Sequence, residues 1–245
     1  MDSILILLRK PEAQFGPNDF HALRVDIKRV KALLFLLSIC REGFRRKRHY
    51  KPFRKLFRQA GIVRELQLQE TMLKKYGPEP ALTMYFNHLD IELHHEQQQF
   101  FMMNNKQLRK DLKAEAKKIA AALDTIKRKS FQIYLQDKRD DIKLLLTSEK
   151  LLEHDVHLLR KRVKELYYLQ KIFQPDNNRL DIADDFQELL GQWHDCQVIR
   201  QDLLADAQNH KRPPEEIKAI MALHKKISGQ ASRLLEKIQT VKNMV

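Results

Sequence analysis

His21-Ala22-Leu23-Arg24-Val25-Asp26-Ile27-Lys28-Arg29-Val30 and His157-Leu158-Leu159-Arg160-Lys161-Arg162-Val163-Lys164-Glu165-Leu166 carry one pattern, His-x-x-Arg-x-x-x-Lys, in distant parts of the chain. Turned at about 100° per residue, the first stretch sorts into two faces. With His21 at zero, Arg24, Lys28 and Lys31 lie within about 80° on one side, and Leu23, Ile27, Val30, Leu34 and Leu37 gather between about 160° and 240°. The second stretch has the same phase. His157, Arg160, Lys164 and Lys171 share its polar face, flanked by Lys161, while Leu159, Val163, Leu166 and Phe173 are expected in the core. Two amphipathic helices with matching cationic stripes make an all-α fold the expectation.

The composition agrees. Six Gly and eight Pro in 245 residues leave few of the residues that tight hairpins need, which argues against sandwiches, barrels and Rossmann sheets. Hydrophobic residues at 43% and charged residues at 32% suit amphipathic helices around a core and exclude a disordered chain. Cys40 and Cys196 are too few for a disulfide framework and read as free thiols of a reducing compartment. The apolar run Ile4–Leu8 is too short for a signal-peptide core or a membrane span, so the expectation is a cytoplasmic protein with no membrane insertion.

Sparse punctuation brackets the helices. Asn18 or Asp19 is expected to cap a helix over about 20–41, and Gly43 opens the basic connector Arg45-Arg46-Lys47-Arg48-His49. A short helix after Pro52 is expected to stop near Gly61, with another from there to about Tyr76. Further helices are expected over about 81–104, 106–128, 130–147, 149–173, 179–190, 191–209 and 215–240. Phe57 to Glu65 also resembles Leu189 to Asp195 when aligned on Gly61 and Gly191. An internal duplication follows, with a first helical repeat over about 18–128 and a second over about 130–245 within one domain.

A net charge of +14 calls for polyanions: nucleic acid, an acidic lipid surface or a phosphate polymer. Groups at i, i+3 and i+7 of a helix span roughly 10 Å, the reach of two or three linked phosphates. Arg supplies a planar fork and Lys a mobile point charge. A solvated, salt-screened face would show the same spacing once; recurrence in phase favours a binding function. Lys51, Arg54, Lys55 and Arg58 extend the theme in the first repeat, with Phe53, Leu56, Phe57 and Ala60 opposite. In the second repeat Asp181, Asp184, Asp185 and Glu188 take those places and oppose it.

The two His-x-x-Arg-x-x-x-Lys helices, followed by Gly-x-x-Arg-Glu at 61–65 and Gly-x-x-His-Asp at 191–195, resemble the CHAD family, named for a histidine-containing α-helical domain. The resemblance covers nearly the whole chain. It implies duplicated four-helix bundles with pseudo-twofold symmetry around a basic groove or pore, binding of inorganic polyphosphate, and association with polyphosphate granules. Carried over by motif, the implied ligand residues are His21, Arg24, Lys28, Lys31, Arg64, His157, Arg160, Lys161 and Lys164. The basic face of the first repeat adds Arg54 and Arg58. Arg64 matches an arginine of the family's motif where its counterpart is His194, and Glu65 stands where the family usually has Asp.

Other chemistry has weaker support. His194-Asp195 resembles the metal-binding pair of certain phosphohydrolases, but a dipeptide alone is not a metal centre and turn chemistry after Gly191 is the simpler reading. His88, Glu92 and His95 share a helix face with no partner from another segment. No Gly-rich phosphate loop and no Glu-x-Glu-x-Lys strand occurs, so the expectation is a non-catalytic binding module with neither cofactor nor metal. The competing readings are an RNA- or DNA-binding helical protein and a basic protein-interaction scaffold. Base stacking has only Tyr167-Tyr168 to draw on among the basic helices, and nucleic acid stays open as an alternative polyanion.

Overall fold

A computed structural model describes residues 2–75, 80–173, 184–208 and 212–242. The described residues are helical with no strand: α1 (Asp2–Leu7), α2 (Pro17–Cys40), α3 (Arg46–Lys74), α4 (Thr83–Met103), α5 (Lys106–Leu123), α6 (Arg128–Leu146), α7 (Glu153–Phe173), α8 (Asp184–Ala207) and α9 (Pro214–Val241). Among them no helix is long and apolar enough to cross a membrane.

Three sequence expectations need correction. The cap of α2 is Gly16, with Pro17 in the first helical position and the Asp19 carboxylate accepting from the Gly16 N–H at 3.0 Å. Neither Asn18 nor Asp19 is the cap itself. Gly61 and Gly191 do not end helices: α3 and α8 run straight through them, and α3 begins before Pro52, which it contains. His194-Asp195 therefore lies within α8, not in a turn. Phe173 is 40% exposed in the last turn of α7, outside the core, with its ring 4.3 Å from that of Phe131. Asp181, the expected helix end near Tyr76 and the expected helix start near residue 179 lie outside the described residues.

The chain divides into two compact units that interleave along the sequence, so they are a different partition from the sequence repeats. One comprises Met1–Arg64, His94–Asp141 and Glu165–Asn178; the other comprises Glu65–Leu93, Ile142–Lys164 and Arg179–Val245.

The first unit is built on α2. Leu23, Ile27, Val30, Leu34 and Leu37 are all buried, as their phase requires. At its start Phe15, Phe20 and Phe100 form an aromatic knot with ring separations of 4.7–5.3 Å. The N-terminal apolar run contributes to this core through Ile4 and Leu8, and Asn104 donates to the Leu8 carbonyl at 2.8 Å. Each fully buried Leu, Ile or Phe side chain contributes about 1.5–3 kcal/mol, so one face of one helix anchors the unit.

In the second unit α8 packs along α9, burying Phe186, Leu190, Trp193, Ile199, Ile220, Leu223 and Ile227. Leu159 and Val163 of α7 are buried as well, again in the expected phase. Arg212 is 9% exposed and is held by Asp206 at 2.8 Å and by Glu216 at 3.1 Å. A buried ion-pair network of this kind tolerates loss of a partner poorly, at about 3–5 kcal/mol, because the remaining charge is stranded.

Candidate phosphate-binding faces

In the first unit the cationic side of α2 stands opposite its buried side. His21 and Lys31 are exposed, and Arg24 and Lys28 are half-buried. The Arg24 guanidinium crosses to α3, donating to the Phe57 carbonyl at 3.3 Å and lying 4.8 Å from the Phe57 ring centre. It can do so because residue 61 is glycine. A Cβ there would come 2.1 Å from a terminal nitrogen of Arg24. Phe57, Gly61 and Arg64, at i, i+4 and i+7, share one face of α3. Arg64 is half-buried on that face.

Arg24 is also brought near the cations of α3. The Tyr50 phenol is pushed up by burial, while the fields of Arg24 and Arg54 pull it back down. Lys51, Arg54, Lys55 and Arg58 are exposed, over buried Phe53, Leu56 and Ala60 and half-buried Phe57. Tyr50 thus marks a place where two cationic sets meet. Sequence reasoning passed over it because nothing local distinguishes that tyrosine; the contact joins residues far apart in the chain.

The second unit presents a tighter and more mixed face. On α7, His157, Arg160 and Lys164 are half-buried and Lys161 is exposed. The His157 imidazole is pushed below its ordinary range by burial first, then by Lys161 and Arg160. Lys164 is likewise lowered, by burial and by Arg160, with Asp195 and Asp184 acting against the shift. Asp184, Asp185 and Glu188 are exposed on α8. The ring of His194 lies 5.5 Å from that of His157, so the motif residue that pairs with Arg64 in sequence faces the stripe of its own repeat.

The remaining candidates have other surroundings. His88, Glu92 and His95 are exposed along α4, and among the described residues no group of three or more His, Cys, Asp or Glu side chains is arranged to hold a metal ion. Cys40 and Cys196 are free, and burial raises both thiols, Cys196 to about 11 with the help of Asp195. Both stay protonated and unreactive at neutral pH. Tyr168 is buried, and Tyr167 is half-buried with the Lys171 ammonium 5.8 Å from its ring.

A second feature escaped the sequence reading. The Phe35 ring lies on the cationic side of α2, with the Arg46 guanidinium 4.7 Å and the Lys138 ammonium 4.9 Å from its centre. Its phase, in line with Lys28 and Lys31, was the available signal.

A family model for the CHAD domain matches residues 7–204. No curated protein matches the chain.

Proposed function

The chain belongs to the CHAD family, and on that premise we propose that its two His-x-x-Arg-x-x-x-Lys faces bind inorganic polyphosphate without catalysis. The observation that carries the reading is that both faces stand over fully buried apolar stripes, so the cations are presented by rigid helices. The seating of Arg24 on Gly61 supports it further, since a bidentate donor held in place loses less freedom on binding. The finer architecture, two four-helix bundles about a pseudo-twofold axis with a basic groove, is part of the same proposal and rests on family membership. Association with polyphosphate granules in the cytoplasm follows from it.

In the proposed complex Arg24, Arg64 and Arg160 clamp non-bridging oxygens. Lys28, Lys31, Lys161 and Lys164 follow the chain as point charges, and Arg54 and Arg58 widen the field of the first face. His21 and His157 donate hydrogen bonds, and His157, lowered in the free protein, gains charge as the anion approaches. The stripes offer no carboxylate pair for metal-assisted hydrolysis, which supports a binding role. Against nucleic acid stands the state of the tyrosines: Tyr168 is buried and Tyr167 already carries a cation, so neither is an open stacking platform.

The test is equilibrium binding of fluorescent polyphosphate in competition with single-stranded RNA of equal total charge. Polyphosphate is expected to bind more tightly, with RNA displacing it only in excess. Equal or tighter RNA binding would make nucleic acid the ligand, and binding of neither at low salt would leave the interaction-scaffold reading.

A further inference from the structure

The basic side of α2 does not stop at Lys31. Phe35, Ser38 and Ile39 continue its phase and line one wall of an open hollow whose other wall is Arg45, Arg46, Lys47 and Arg48. All of these residues belong to the first unit.

The connector is held, not loose. Gly43 turns the chain with φ of 73°, in the left-handed region that glycine enters without strain. Phe44 then stacks on His49 with ring centres 4.4 Å apart, and the His49 ring is hydrogen-bonded to Glu115 of α5. The segment Arg45–Arg48 is thus anchored on both sides. The Cys40 thiol lies 3.8 Å from the Ser130 carbonyl, which sets the start of α6, with exposed Arg128 and Lys129 and Lys127 just before it, beside the end of α2.

The placement of charge is electrostatically adverse for the protein alone. Arg46, Lys47 and Arg48 occupy the first turn of α3, which contains no acidic residue. A helix N-terminus carries partial positive charge and prefers anions, so three cations there add to the repulsion. Lys138, buried beneath, brings another cation over Phe35; its nearest carboxylate, on Glu165, is 3.8 Å away. The acids of the two connectors are Glu42 and Asp124, and Glu115 is engaged by His49 and Lys118. An arrangement that is costly alone and favourable with an anion is what a binding site for a polyanion requires.

We propose that the end of the α2–α3 connector and the first turn of α3, through Arg45, Lys47 and Arg48 around the Phe35–Ile39 hollow, form a distal phosphate-binding site that engages the far part of a long polyphosphate chain. The proposal rests on the polyphosphate reading of the α2 stripe. From His21 to Ile39 the helix rises about 27 Å, whereas the stripe from His21 to Lys28 spans only roughly 10 Å. A triphosphate fills one interval; only a longer chain reaches both. The second contact then forms at high effective concentration, so length itself becomes the basis of selection.

The test compares tripolyphosphate with polyphosphate of about a hundred units on wild type and on the Arg45→Glu/Lys47→Glu/Arg48→Glu variant. All three side chains are exposed, so the fold should persist, and circular dichroism checks it. Long-chain affinity is expected to fall at least tenfold and the magnitude of its salt slope by about two, at about 0.7 per lost contact, with tripolyphosphate affinity unchanged. An unchanged long-chain affinity, or equal losses for both ligands, would overturn the proposal. So would a loss confined to single-stranded RNA, since the connector would then serve nucleic acid. Failure of the underlying reading shows separately, as wild type binding neither phosphate polymer.

Discussion

Gly61 and Gly191 hold the same place in two Gly-x-x-basic-acidic stretches, and only the first is covered by the arginine of a His-x-x-Arg-x-x-x-Lys helix. A Cβ at Gly61 would collide with Arg24 at 2.1 Å, whereas at Gly191 nothing lies within 4 Å. The electrostatics differ in the same sense. Arg24 and Arg54 of α3 both act on Tyr50, and Lys51, Lys55 and Arg58 are exposed on the same helix. Lys164 is lowered by burial and by Arg160, and Asp195 and Asp184 partly offset that shift. In the proposed duplication the helix-borne pattern is shared and its surroundings differ, with Asp195 and Asp184 acting on Lys164 in the second stripe. On the proposed function, binding is expected to be asymmetric, with the first face the stronger.

Charge reversal gives the largest expected effect. Arg24→Glu/Lys28→Glu is expected to weaken polyphosphate binding on the order of a hundredfold, with each lost charge-assisted contact costing about 1.5 kcal/mol or more. Arg160→Glu/Lys164→Glu is expected to cost on the order of tenfold, because Asp184 and Asp195 already oppose that face. Equilibrium titration of both variants checks the ranking, with circular dichroism to confirm that the untouched Leu23–Ile27–Val30 and Leu159–Val163–Leu166 stripes still fold. A second-repeat variant that binds like wild type at every chain length would confine the site to the first repeat.

The glycines separate binding from stability. Gly61→Ala displaces the flexible end of Arg24 and should reduce affinity about tenfold, or roughly 1.4 kcal/mol, while stability changes little or rises because alanine is the better helix former. Gly191→Ala should leave affinity unchanged and raise stability by up to about 1 kcal/mol. Thermal melts alongside binding curves read both. Equal effects of the two substitutions on affinity would remove the asymmetry.

A smaller effect concerns protons. His157 is lowered in the free protein, so at neutral pH it is mainly uncharged. A bound anion raises it, and binding therefore takes up a proton. Affinity is expected to rise about threefold as pH falls from about 8 to 6, and to level off once the free imidazole is also protonated. His157→Gln should flatten this part of the profile; a profile that keeps its full slope in that variant would assign the proton to another group. The smallest expected change is a gain of about twofold from Asp184→Asn, which removes one carboxylate acting on Lys164, measured in the same titration.

Much of this was readable from the chain. The apolar phases of α2 and of α7 as far as Leu166 were legible because they rest on local periodicity alone, and each named position through Leu166 is buried. The breaks at Gly61 and Gly191 were misread, since glycine inside a helical pattern is locally a stop signal. At Gly61 the reason it persists mid-helix lies on another helix, in the Arg24 side chain. The expected core place of Phe173 failed at a helix end, where periodicity no longer dictates burial. Arg24 could be picked as cationic, but not as seated against the Phe57 carbonyl. Lys138 carried no signal, because its burial depends on Phe35 and Glu165 arriving from two other helices to join Tyr134 of its own.

In the proposed function, helix-borne cations bind a phosphate polymer electrostatically. Its most direct test is the salt dependence of polyphosphate affinity for the wild-type chain, with log affinity plotted against log salt. The account predicts a linear fall with a slope of several units, at about −0.7 per phosphate contact, and a visibly shallower line for Arg24→Glu/Lys28→Glu. A flat response, or parallel lines for the two proteins, would contradict it.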